Sequence, residues 1–453
     1  MQPLPKEFEE QMKRLLGEAG FFAYLDALNQ PYARALRVNL LLRPDGTPPC
    51  PIEGLGAPVP WAKGAYFVEG DARPGLSPLH EGGLFYMQEP SALTAVTALD
   101  PQPGERVLDL CAAPGGKSTQ IAALMAGRGL LCCNEPIPSR AQILSRNIER
   151  MGVRNAVVLS AMPDAFAPRF PAFFDRILVD APCSGEGMFR RQPEARDEWD
   201  ADAPRRCADR QMEILAQAAK MLRPGGTMVY STCTFNDTEN EGVLRRFLAL
   251  HPEFSLVPFA LPGLPEAKDG YLHLYPHEMR GEGHFVSRLK KADGADEADA
   301  PVQAAPQRKA PSRAAAKGKA PASIALPDVF SDAFAPERLY TAGDALWMLP
   351  EGISIERLSG LRVLRTGLLL AHAEGKRSEP DHALAMALRP EEAARTASLT
   401  QTQALAYQAG ETLSLGDLPG GYTLLCCEGV SLGWGKQASG LMKNHYPKGL
   451  RRR

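Results

Sequence analysis

The chain has 453 residues, 44% hydrophobic and 23% charged, enough apolar material for several packed domains and too much for a chain disordered throughout. A formal net charge of -2 argues against binding polyanions through bulk charge, so any basic surface must be local. Nine cysteines without a Cys-x-x-Cys pair argue against a disulfide framework or structural zinc, no apolar run is long enough to cross a bilayer, and residues 1–10 lack a signal peptide's basic and then apolar order. The expectation is a reduced, cytoplasmic protein whose thiols are free to react.

Helices are expected over 7–28, followed by Arg34, Arg37 and Asn39, polar residues that either form a binding surface or cap structure. This part, 1–95, reads as an amino-terminal α/β extension. From 96 to 290 strands and helices alternate, with strands over 106–110, 129–133, 156–159, 174–179 and 227–230 and helices over 117–125, 139–151, 205–222 and 237–250. Alternation of this kind predicts an α/β fold with a doubly wound, Rossmann-like parallel sheet, and a late strand over 284–288 suits an antiparallel edge addition. Residues 291–326, rich in Ala, Pro, Lys and Arg, read as a flexible linker that turns from acidic to basic near Arg308, Lys309, Arg313, Lys317 and Lys319. Beyond it, 327–388 reads as a small α+β domain. Residues 389–453 form a further unit in which 422–430 alternates like a strand of a small barrel. There is no internal repeat.

The first strand of the alternating region runs into Cys111-Ala112-Ala113-Pro114-Gly115-Gly116-Lys117, a small-residue turn that opens a helix and lets backbone amides approach a ligand at the positive helix end. Glu135 ends the second strand, where a carboxylate accepts both hydrogen bonds of a ribose diol. Without Gly-x-Gly-x-x-Gly the site suits a nucleoside with a short polar tail, such as S-adenosylmethionine, better than a dinucleotide. Asp164, after the third strand, either reads the adenine amine or caps a helix. Cys183, in Asp180-Ala181-Pro182-Cys183-Ser184-Gly185, and Cys233, in Ser231-Thr232-Cys233-Thr234, each follow a short apolar strand, and the carboxyl ends of such strands are where open α/β sheets place their chemistry. A lone free cysteine is most often a small buried hydrophobe; two at adjacent strand ends beside a nucleoside site point instead to nucleophilic chemistry. A thiolate adds to carbon 6 of a pyrimidine, makes carbon 5 nucleophilic and later leaves. Asp180 is placed to hydrogen-bond the ring nitrogen or exocyclic amine of such a base, and Lys117 either contacts Asp180 or is a surface charge. Cys207 reads as incidental, and the eight histidines show no ligand spacing, so no metal is expected.

In their order and spacing, segments 109–117, 180–185 and 231–234 resemble the Sun-type RNA (cytosine-5)-methyltransferases, over roughly 86–290. Segments 34–39 and 86–91 resemble that family's amino-terminal part, while 433–437 and 443–448 resemble its bacterial 16S ribosomal RNA branch. The resemblance implies that Cys233 attacks carbon 6, that Cys183 helps release product, that S-adenosylmethionine is the donor with Arg140 near it, and that 389–453 is a PUA-like RNA-binding domain. Arg37 and Asn39, with Trp434, Lys436, Lys443, Tyr446 and Lys448 among the basic carboxyl-terminal residues, then become candidates for RNA contact through phosphates and stacking. The expected partner is 16S ribosomal RNA or the small subunit, met by a monomer without membrane or metal. Two rival readings are the same chemistry on transfer RNA and a non-catalytic RNA-binding assembly factor.

Overall fold

The strands of the alternating region have most of their residues buried, as expected where helices cover both faces of a sheet. In the computed structural model, which describes residues 3–294, 329, 336–374 and 377–452, they form the centre of a nine-stranded sheet. Its order is Phe254–Leu256, His284–Lys291, Leu222–Thr232, Phe174–Asp180, Arg106–Asp109, Leu130–Asn134, Ala156–Leu159 and Val363–Arg365, with Tyr271–Leu274 also paired to His284–Lys291. The five strands from Leu222–Thr232 to Ala156–Leu159 are parallel. Successive side chains go to opposite faces: Leu108, Ile177 and Met228 enter one core, and Val107, Leu178 and Val229 the other. Strand order reverses at Arg106–Asp109, and such a switch point leaves a crevice at the carboxyl ends.

Two expectations are corrected here. The late strand is antiparallel to Leu222–Thr232 but is not the edge, because Phe254–Leu256 and Tyr271–Leu274 pair with its other side. The expected 237–250 helix begins only at Glu241, because Asn236, Glu239 and Asn240 turn their side chains to the preceding loop; Asn240 accepts from Thr232 Oγ1 at 2.7 Å and donates to the Thr234 carbonyl at 3.1 Å. Of the expected linker, Lys291 belongs to a strand and the segment from 295 to 326, with its basic residues, lies outside the described residues.

The amino-terminal extension begins with Lys6–Leu28, two helical pieces joined at Gly17, and continues as an antiparallel sheet of Leu55–Pro58, Ala65–Val68, Ala35–Val38 and Phe85–Gln88. Phe8 and Tyr24 of the first helix pack edge-on to Phe189, Trp199 and Phe235, so the extension rests on the loops that follow the two cysteine motifs. The 327–388 part also reaches into the large sheet. Its strands Leu339–Ala342, Ala345–Met348, Leu368–Glu374 and Arg377–Pro380 form their own sheet, while Val363–Arg365 joins the nine-stranded sheet beside Ala156–Leu159 and Arg365 pairs with Glu149. The last unit pairs Thr396–Ser398, Gly421–Cys427, Val430–Ala438 and Leu441–Asn444 around the helix Gln401–Ala409. Its expected 422–430 strand stops at Cys427, because Glu428 and Gly429, with φ of 51° and 74°, make the tight hairpin turn. Leu425, Tyr407 and Leu432 share a core with Leu36, Val38 and Phe85, which closes the chain's two ends on each other.

Candidate active site

Asp180 pairs in register with Ser231, the last ladder position shared by their strands, so the two loops that follow leave the sheet side by side. As a result Cys183 Sγ lies 3.2 Å from Cys233 Sγ, and the Cys233 amide donates to Cys183 Sγ at 3.4 Å. Both thiols are half-buried. The hydrogen bond to Cys233, together with burial, pushes the Cys183 thiol well up, so Cys183 keeps its proton at neutral pH. Gly187 packs against the backbone of Cys233: its amide donates to the Cys233 carbonyl at 2.8 Å, and a Cβ there would sit 3.0 Å from that oxygen.

Lys117 Nζ reaches Asp180 Oδ2 at 2.8 Å, so it is the partner of Asp180 and not a surface charge. Burial alone would raise the Asp180 carboxyl, but the Lys117 ammonium and His284, whose Nε2 is 3.4 Å away, outweigh it and hold Asp180 well below the usual carboxylate range. Ser231 Oγ donates to its other oxygen at 2.8 Å. Asp180 is therefore an ionised acceptor.

On the other side of the switch point, the small-residue turn is held by its carbonyls. Arg140 donates to Ala113 O at 3.2 Å, Asn147 to Pro114 O at 2.9 Å and Arg37 to Gly116 O at 3.2 Å. Gly115, at φ +112°, precedes the helix Gly116–Leu124, and a side chain there would press on Leu144 and Asn147. Cys111, whose thiol is pushed well up by burial and by Asp109, is inert in this turn. Glu135 is 3% exposed at the end of Leu130–Asn134, its Oε1 accepting from the Ile137 amide at 3.0 Å and its Oε2 3.4 Å from Arg140. Asp164 is exposed in the first turn of Pro163–Phe166. The turn, Glu135 and a buried Asp109 Oδ1 without a hydrogen-bond partner among the described residues together fit a nucleoside with a cationic amino-acid tail.

Burial raises the Asp109 carboxyl from 3.8 to about 7, against a hydrogen bond from Ser118 Oγ at 2.7 Å. A carboxyl raised in the folded state favours folding while protonated, so this contribution is lost as pH rises through about 7. The melting temperature of the cofactor-free protein is expected to fall over that interval, and Asp109→Asn to flatten the fall, which thermal scans at stepped pH check directly.

Against these geometries stand the relatives. Family descriptions match along almost the whole chain: 16S rRNA methyltransferase RsmB/F over residues 96–290, the N-terminal domain of 16S rRNA methyltransferase RsmF over 4–90, the RsmF rRNA methyltransferase first C-terminal domain over 327–388, and the methyltransferase RsmF PUA domain over 394–452. The chain belongs to the RsmB/F family of 16S rRNA methyltransferases. It is 34% identical over 467 residues to ribosomal RNA small subunit methyltransferase F of Erwinia tasmaniensis, covering 98% of this chain and 96% of that one. With the protein of that name from an Enterobacter species it shares 35% over 470 residues, 98% and 95% of the two chains. Among solved structures, a methyltransferase homolog protein from Pyrococcus horikoshii superposes with a TM-score of 0.54 at 30% identity, over 63% of this chain and 95% of that one. NSun6 from Pyrococcus horikoshii, solved with SFG, gives 0.54 at 22% identity over 64% and 99%, a likeness of fold. The cofactor of this methyltransferase family is S-adenosylmethionine, in keeping with the cradle described above.

In this methyltransferase four of the residues expected to touch RNA are instead internal. Trp434 is 2% exposed and donates to the Asp381 carbonyl at 2.8 Å, and Tyr446 is 4% exposed in the core shared by the two ends. Asn39 donates to the carbonyls of Gly83 and Met151, both at 3.0 Å. Arg37 is 1% exposed, binds Thr119 Oγ1 at 2.9 Å as well as Gly116 O, and is lowered to about 10 by burial. Their side chains complete local hydrogen bonds or cores, which a motif comparison does not reveal. If the 111–117 turn holds S-adenosylmethionine, Arg37→Met is expected to weaken its binding about tenfold in calorimetry, with RNA affinity unchanged, because it frees the Gly116 carbonyl of that turn. Lys443 and Lys448 remain exposed, and Lys436 lies over the Tyr422 ring at 4.6 Å.

A buried polar scaffold beneath the thiols was not anticipated. Glu239 accepts from the Ser184 amide at 3.0 Å, Asn236 Nδ2 at 2.9 Å and Gln211 Nε2 at 2.8 Å, and burial raises it above the ordinary range despite those bonds. Glu186 accepts from the amides of Phe235 and Asn236 at 2.8 and 3.1 Å. Each acid ties the loop of one cysteine to that of the other. The available signal was an acid shortly after each thiol motif in segments rich in turn residues. Cys207, by contrast, is a thiol raised to about 11 by burial and Glu239, in keeping with an incidental residue.

Proposed function

We propose that the protein methylates carbon 5 of a cytidine in 16S ribosomal RNA through a transient bond between Cys233 and carbon 6, acting as a cytoplasmic monomer without a metal. The observation that carries this reading is the 3.2 Å thiol pair at adjoining strand ends, beside the Lys117–Asp180 ion pair. Cys183, its thiol pushed up by the hydrogen bond to Cys233 and by burial, keeps its proton; Cys233 gives its own proton to water, and Lys117, whose charge is favoured by Asp180 and also by Cys233, stabilises the thiolate left there. As the sulfur–carbon 6 bond forms, the carbon 5–carbon 6 double bond opens and its electrons become available at carbon 5. Asp180, held ionised, accepts from the exocyclic amine of the base and orients it. S-adenosylmethionine, held by residues 111–117, Glu135, Arg140 and Asp164, supplies the methyl group when bound. Loss of the carbon 5 proton to water then expels the Cys233 sulfur, and the Cys183 thiol stabilises that departing sulfur by hydrogen bonding.

A base within a stem does not reach this crevice, so the cytidine is flipped out or already unpaired. Incubation with methyl-labelled cofactor and 16S RNA, followed by nucleoside digestion, is expected to yield labelled 5-methylcytidine. Label on a ribose oxygen or on another base would overturn the reaction, and label in transfer RNA but not in 16S RNA would overturn the target.

A further inference from the structure

Between the amino-terminal extension and the catalytic domain opens a cavity of about 800 Å³, whose walls include Tyr32, Arg34, Arg73, Arg190, Arg280 and Gly281. None of the cofactor-turn residues lines it. Not all of its charges are available. Arg190 is committed to Glu282 at 2.7 Å and Arg280 to Glu69 at 2.7 Å. Among the described residues Arg34 donates only to the carbonyls of Ala72 and Gly70, so its charge is not offset by a carboxylate there, while Arg73 is exposed. Tyr32 is 45% exposed, and the exposed Arg191 guanidinium lies 6.0 Å from its ring centroid. Of the lining charges not held in those ion pairs, Arg34 and Arg73 thus stand against Asp71, with Arg191 beside the exposed Tyr32 ring. Such a surface takes an unpaired nucleotide, its base on the ring and its phosphates near the guanidiniums.

The cavity is joined to the thiol crevice by backbone. Arg190 donates to Gly281 O at 3.1 Å, and the next two carbonyls, Glu282 and Gly283, lie 3.4 and 3.2 Å from where a Gly187 Cβ would sit, next to Cys233 O. The stretch 281–283 therefore lines the cavity at Gly281 and packs against the backbone of Gly187 beside Cys233 O. We infer that this cavity holds the single-stranded nucleotides flanking the target cytidine, with a base on Tyr32 and phosphates at Arg34 and Arg73. The inference rests on the RNA methylation proposed above. An RNA occupant is favoured over a protein one because the substrate is already a polyanion and the free charges at this mouth are mainly positive.

The test uses Tyr32→Ala/Arg73→Glu in the full chain, with Arg73→Ala alone as the milder variant. Affinity for a 16S RNA fragment and for assembled small subunits is measured by anisotropy at several salt concentrations, with S-adenosylmethionine binding as the control for folding. The expected result is a rise of about tenfold or more in the RNA Kd, a salt slope shallower by about one counterion, an unchanged cofactor Kd, and a raised KM for RNA with kcat nearly preserved. An unchanged RNA Kd with cofactor binding intact would overturn the assignment. So would a loss seen with assembled subunits but not with naked RNA, which would make the cavity a protein contact. If the unaltered protein failed to methylate cytidine, the proposed reaction would fall while the comparison of RNA affinities still decided the cavity.

Discussion

Cys183→Ala is expected to accumulate a covalent protein–RNA species, and Cys233→Ala to abolish both that species and methyl transfer. The two sulfurs are 3.2 Å apart, yet their surroundings differ: the hydrogen bond and burial push the Cys183 thiol up, and the Lys117 cation has a favourable charge interaction with Cys233. On the proposed mechanism, replacing Cys233 takes away the bond that activates carbon 5, a loss of at least about a thousandfold in rate. Removing Cys183 leaves addition possible but takes away the group that stabilises the sulfur as it departs, so the adduct persists. Denaturing gels with labelled RNA separate the outcomes, a slow-migrating band appearing with Cys183→Ala alone. The band with Cys233→Ala instead would exchange the two roles.

The chemistry-bearing segments were legible because each combines a strand of β-branched and aliphatic residues with a turn that cannot be built otherwise: Arg106–Asp109 into the small-residue turn, Phe174–Asp180 into Pro182-Cys183, and Leu222–Thr232 into Cys233. Periodicity places such strands, and the parallel order follows from the helices between them. Patterning does not show which polar side chains are spent on the protein itself. Arg37 and Trp434 look like RNA contacts in the sequence because they are basic or aromatic near basic neighbours, but the first is buried against Gly116 and Thr119 and the second against Asp381. Nor does local sequence show pairing at long range. Nothing in Val363–Arg365 announces that it will extend a sheet whose nearest strand ends at Leu159, since that choice depends on an open ladder edge made by distant residues. Glu186 and Glu239 escaped for a related reason: an acid in a turn reads as solvated until the fold buries it under two loops.

Arg190→Ala is expected to destabilise the fold by roughly 3–5 kcal/mol, because it strands a carboxylate that the fold has already removed from water. The Arg190 and Glu282 side chains are 9% and 2% exposed and meet through two bonds, Nη2 to Oε1 at 2.7 Å and Nε to Oε2 at 2.9 Å. Arg190 also donates to the Ala27 carbonyl at 2.6 Å, which fastens the amino-terminal helix to the loop carrying Cys183. Urea titration followed by tryptophan fluorescence reads the loss, since Trp199 packs on Phe8 of the same helix. Arg206, whose partner Asp200 is 2.7 Å away but whose side chain is 60% exposed, supplies the contrast: Arg206→Ala is expected to leave the transition unmoved, because water already solvates both charges. The paired replacement Arg190→Met/Glu282→Leu removes the unpaired charge and is expected to recover part of the loss. If Arg190→Ala unfolded at the same urea concentration as the unaltered protein, Glu282 would have to reach water in the folded state, and the extension would not be anchored through this pair.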